Sequence, residues 1–96
     1  MGADTFYQKA KGKTAKAAFT NAQKAARHDH GHSGYTGTIA EKNEFVLIPL
    51  PAGANPEAEA DRLISEDDSR VTDKWGPAGC FDLGNGEYYF FGWASS

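Results

Sequence analysis

Apolar residues recur at Ala15, Ala18, Phe19, Ala22, Ala25 and Ala26, at spacings of three and four that trace one face of a helix. Thr14 stands where an N-cap is needed, and Gly31 or Gly34 ends the run, since glycine adopts the left-handed conformation at little steric cost. The face is almost all alanine, so it buries little area per residue but lets its backbone come close to whatever it packs on. Phe19 is its one large anchor.

Beyond this helix the period changes to two. Tyr35 to Ala40 alternates with Thr36, Thr38 and Ile39, and Glu44 to Ile48 is a second β-rich run. The short spacer, with Asn43 suited to a turn, predicts a β-hairpin. "PLPAGANP" reads as a loop ending in Asn55 as N-cap and Pro56 at the first helical position, so a second helix is expected to about Asp67 with Ala60, Leu63 and Ile64 turned inward. "CFDL" and "EYYFFGW" flank "GNG" and predict another hairpin. Tyr88, Phe90 and Gly92 then share one face of the last strand and Tyr89, Phe91 and Trp93 the other. A strand with aromatics on both faces is buried on both or uses one face for a partner or ligand; in so small a protein two covered faces suggest a helix on each or a second subunit. The first dozen residues show no sustained period.

The expectation is therefore a flexible N-terminal arm, residues 1–13, followed by a single α+β domain, residues 14–96. In that domain two helices pack on an antiparallel sheet of about four to five strands built from hairpins. A homo-oligomer joined through aromatic strand surface would add to the burial that a 96-residue chain can achieve alone.

Charge divides the chain. Residues 1–42 carry seven Lys and Arg against three Asp and Glu, whereas 43–96 carry three against ten, a change from +4 to −7. The acids concentrate on the second predicted helix, at Glu57, Glu59, Asp61, Glu66, Asp67 and Asp68, and suit a basic groove on a partner. Six cations from Lys9 to Arg27 would favour nucleic acid, but the acidic second half and a pI near 5.5 oppose it. Cys80 stands alone, no apolar run approaches membrane-spanning length, and no secretory pattern opens the chain, so a soluble protein of a reducing cytoplasm is expected.

Three stretches are candidates for chemistry. "GHSGYTGT" combines Gly34 and Gly37 with hydroxyls on Ser33, Tyr35, Thr36 and Thr38, flanked by Arg27 and Lys42. Free amides near glycines make anion-binding concavities, so a phosphate-bearing ligand is expected here, with Trp93 able to stack on a base. Neither the Walker nor the dinucleotide fingerprint is matched. His28, His30 and His32 suggest a metal-dependent hydrolase only if extended, because on a helix residues two apart lie about 200° round the axis. Cys80 in "PAGCFDL" reads as a small hydrophobe rather than a nucleophile.

"GYTGTIAEK", the acidic helix, "DKWGPAGC" and the terminal aromatic strand together resemble small uncharacterised proteins encoded by bacteriophages and mobile elements. The resemblance implies a compact non-enzymatic inhibitor of host defence and carries no functional residue with it. The leading expectation is an inhibitor that binds a phosphate-bearing small ligand such as a nucleotide signal, without a cofactor. The alternatives are an anti-CRISPR-like protein–protein inhibitor using Glu59, Glu66, Asp67 and Asp68, and the metal-dependent hydrolase.

Overall fold

The computed structural model describes residues 3–30, 38–39, 42–66 and 76–95. They form β1 (Ala3–Lys11), α1 (Ala15–His30), β2 (Phe45–Leu47), α2 (Pro56–Ser65), β3 (Ala78–Gly84) and β4 (Glu87–Ser95). The strands make one sheet in the order β1-β4-β3-β2, and the fold is α+β.

The helices begin where their capping residues dictate. Thr14 accepts from the Ala17 amide through its hydroxyl, and the Asn55 side chain accepts from Glu57 and Ala58 with Pro56 behind it. Ala18, Phe19, Ala22 and Ala26 are buried as their spacing predicts; Ala25, at the margin of the stripe, is exposed, and Ala15 is half-buried. α2 buries Ala60 and Leu63, leaves Ile64 half-buried, and ends at Ser65 with Glu66 as its C-cap, slightly short of the expected end.

The β3–β4 hairpin turns at Asn85 and Gly86, with φ of 56° and 77°. Positive φ at both central residues is the turn whose twist matches paired strands, which is why Asn-Gly occurs there. A bulge between Asp82 and Gly84 adjoins it, and the Asp82 carboxylate accepts from the Gly84 amide at 2.9 Å.

Two parts of the sheet differ from the sequence expectation. The segment read as a loose arm contains β1, whose nine residues pair antiparallel with β4 from Ala3↔Ser95 to Lys11↔Glu87. Phe6 is buried on one face while Tyr7 lies on the other, so this segment completes the core, although its mixed polar composition shows no clear alternation. β2 pairs parallel with β3, Phe45↔Ala78 to Leu47↔Cys80, which makes the sheet mixed. Of the strand expected at Tyr35 to Ala40, Thr38 and Ile39 occupy a bend and a short turn, and the rest lies outside the described residues.

Each face of the sheet carries one helix. α1 covers Phe6, Ala78, Cys80, Phe90 and Ala94, with Phe19 packed at 5.5 Å from Phe90 and 5.2 Å from Phe45 between ring centres. α2 covers Phe81, Tyr89 and Phe91, joined by Ile48. The β1-to-β2 crossover traverses the whole sheet one way, and the β2-to-β3 crossover returns the other way. Crossovers of one hand travelling in opposite directions must place their helices on opposite faces. Phe81, Phe90 and Phe91 are fully buried within the chain, each stabilising the fold by about 2–3 kcal/mol, while Tyr88 and Trp93 are half-buried.

Candidate functional site

A helix is about 10 Å across and strands lie about 4.8 Å apart, so one helix running along a sheet covers about two of four strands. α2 lies over β3 and β4, and the Thr5, Tyr7 and Lys9 side of β1 extends past it on the same face. Tyr7 is 42% exposed at this margin. Between strand and helix lies an open cleft of about 290 Å³ lined by Tyr7, Tyr89, Glu57 and Asp61. A second hollow of about 280 Å³ shares Glu57 and Tyr89 and runs on to Lys9, Asn55, Pro56 and Leu83.

Glu57 and Asp61 are four apart on α2 and so point the same way. The Tyr7 hydroxyl donates to Asp61 Oδ1 at 2.6 Å, tying β1 to α2. Tyr7 and Tyr89 pack with ring centres 6.4 Å apart, and Phe91 supports Tyr89 from within the core at 6.3 Å. Burial raises the Tyr7 hydroxyl above its ordinary range, aided by donation to Asp61 and by that carboxylate's charge. Burial pushes Tyr89 up to about 12, and the charges of Glu57, Tyr7 and Asp61 act in the same direction. Both phenols are therefore neutral at physiological pH.

The other acids of α2 are engaged locally. Arg62 donates through Nε and Nη2 to the two carboxylate oxygens of Glu59, at 2.5 and 3.1 Å, and through Nη1 to Glu66 at 2.9 Å. Donation from Arg62 holds the Glu59 carboxyl below its usual range. Glu59 and Glu66, two of the expected partner-binding residues, are thus partly neutralised within the helix, while Asp67 and Asp68 lie outside the described residues. Glu57 and Asp61 supply the negative charge of the cleft.

The remaining candidates are dispersed. Arg27 is exposed on α1, on the opposite side of the sheet from Trp93, which is half-buried on the Tyr89 face of β4. Lys42 is buried, 2% exposed; its Nζ donates to the Gly76 carbonyl at 3.0 Å and sits 6.0 Å from the centre of the Phe6 ring. Thr38 is half-buried, and Ser33, Gly34, Tyr35, Thr36 and Gly37 lie outside the described residues. His28 is exposed on α1, His30 is the last residue of that helix, and His32 lies outside the described residues. Cys80 is fully buried, and burial together with the Asp82 charge pushes its thiol up to about 12, so it stays protonated.

Sequence reasoning passed over Tyr7, Tyr89, Glu57 and Asp61 as a group. The i, i+4 acid pair was visible, but its partner strand lay in the segment read as an arm. Comparison with protein-family models, with curated proteins and with solved structures gave no match.

Proposed function

We propose that this chain is a binding protein whose working surface is the cleft between β1 and α2, and that it engages a positively charged segment of a partner protein. In the setting implied by its resemblance to phage-encoded proteins, that engagement blocks a host-defence protein. The observation that carries the reading is the pairing of two helix-borne carboxylates, Glu57 and Asp61, with the tyrosine wall of Tyr7 and Tyr89. Carboxylates attract a cation, aromatic faces favour it, and the protonated phenols add hydrogen-bonding capacity without competing charge. The Tyr7 hydroxyl beside the Asp61 carboxylate keeps its proton, because burial and donation to Asp61 raise it above its ordinary range, so binding accounts for the arrangement better than nucleophilic catalysis does.

Calorimetric titration of short lysine- and arginine-containing peptides tests this, with acidic and neutral peptides as controls. Saturable binding of basic peptides alone, weakened at least tenfold in the Glu57→Lys, Asp61→Lys double variant, is expected. Equal binding of all peptides, or none, would overturn the reading. The competing proposal is a phosphate-bearing ligand at the Gly/Thr segment that follows α1, whose exposed Lys16, Lys24 and Arg27 favour anions. Titration with a nucleotide panel is its test, and heat from that panel alone would favour it.

A further inference from the structure

The cleft contains an unused hydrogen-bonding group. Tyr89 is 7% exposed, it lines both hollows, and its hydroxyl has no hydrogen-bond partner among the described residues. Tyr7, across the cleft, is satisfied by Asp61 Oδ1. A hydroxyl without a protein partner depends on what enters the cleft for its hydrogen bond, and a ligand can supply it. Three groups therefore converge on the cleft: the Tyr89 oxygen, the Glu57 carboxylate and the Asp61 oxygen not engaged by Tyr7.

From this arrangement we infer that the cleft is a receptor for a primary alkylammonium group, as on a lysine side chain, with Tyr89, Glu57 and Asp61 each accepting one of its three N–H bonds. This rests on the reading of the cleft as a site for a basic partner and names the chemistry it selects. A primary ammonium has three donors arranged about one atom and no acceptor, which matches three acceptors lining one cleft. A guanidinium spreads five donors over a rigid plane and pairs best with a carboxylate whose two oxygens are both available, which the Tyr7–Asp61 bond denies at Asp61 and leaves to Glu57 alone. A trimethylammonium group has no N–H and would leave the Tyr89 oxygen unpaired.

The second hollow completes the fit. Pro56, Leu83 and the Tyr89 ring offer apolar surface beside Glu57, suited to a four-carbon stem. Lys9, also on this hollow, is paired with Glu87 at 3.7 Å.

Two-dimensional NMR titration of the ¹⁵N-labelled protein provides the test, with n-butylamine, Nα-acetyl-lysine methylamide, its Nε-acetylated and Nε-trimethylated forms, and the arginine equivalent as probes. The expected result is saturable shifts at Tyr89, Glu57 and Asp61 with the two primary amines, at a Kd on the order of 1 mM for so few contacts. The acetylated form should give none, and the arginine and trimethyl probes should bind at least threefold more weakly. Tyr89→Phe and, independently, Glu57→Gln should each weaken the lysine probe several-fold. Equal or tighter binding of the arginine probe, or unchanged affinity in Tyr89→Phe, would overturn the inference, as would no shift with either amine. If n-butylamine binds as well as a lysine-containing peptide, a free amine is the ligand; if the peptide binds far more tightly, a protein lysine is. Basic peptides that bind while both amines fail refute the ammonium site and leave the binding-protein reading standing; amines that bind while all peptides fail do the reverse.

Discussion

Replacing Tyr89 with Phe removes one oxygen and leaves the ring, its contact with Phe91 at 6.3 Å and its packing under α2 intact. Most substitutions at a residue only 7% exposed destabilise a protein, whereas this one should not. A buried hydroxyl without a partner costs about 1–3 kcal/mol relative to water. Because the Tyr89 hydroxyl opens onto a cleft that water can enter, the recoverable part is smaller, and Tyr89→Phe should change stability by between zero and about +1 kcal/mol. For a chain of this length, +1 kcal/mol raises the melting temperature by about 4–8 °C. Urea denaturation at pH 7 reads the effect directly, provided the slope with denaturant stays that of the parent. A loss greater than about 1 kcal/mol would show that the hydroxyl has a partner in the folded protein and would refute the reasoning.

The hydrogen bond from Tyr7 to Asp61 predicts the opposite behaviour at the neighbouring ring. A double-mutant cycle of Tyr7→Phe and Asp61→Ala should show a coupling of about 1 kcal/mol, below the range for fully buried charged bonds because Tyr7 is well exposed, and a coupling near zero in denaturant melts would count against the latch. Both phenols titrate higher in the folded protein than the ordinary value of 10, so the folded state holds their protons more tightly. Their stabilising effect is fully present below pH 10 and is lost as pH rises toward about 12; the urea midpoint should fall across that window, less steeply in Tyr89→Phe, and a flat profile would contradict the assignment. At Gly12, a Cβ would collide with the Ala18 amide nitrogen and stand 2.9 Å from two further backbone atoms in the first turn of α1. Gly12→Ala must displace backbone and disturb the Gly12 amide bond to the Gly86 carbonyl, so a loss of about 2 kcal/mol is expected in thermal melts.

Legibility from sequence follows how local each determinant is. The Asn85–Gly86 turn, the Asn55–Pro56 helix start and the Thr14 cap act within a few residues, and their chemistry names the structure they form. The alternation of aromatics along β4 announced two covered faces, and a helix lies on each. β1 was opaque because its partner lies some eighty residues later and its own composition is polar apart from Phe6, Tyr7 and a few alanines. The parallel pairing of β2 with β3 was hidden for the same reason, since a three-residue strand has too few positions to declare its neighbour. The site inherits this difficulty. Glu57 and Asp61 become a binding element only when β1 places Tyr7 opposite them, whereas the histidines and the Gly/Thr segment drew notice through composition alone.

Intermolecular nuclear Overhauser contacts between a ¹³C-labelled lysine peptide and the full chain test the central claim most directly. The account predicts contacts from the lysine Cε and Cδ protons to the rings of Tyr7 and Tyr89, all lost in Tyr89→Phe combined with Glu57→Gln. Contacts confined to the α1 face around Arg27, or a peptide that binds without touching either tyrosine, would contradict it.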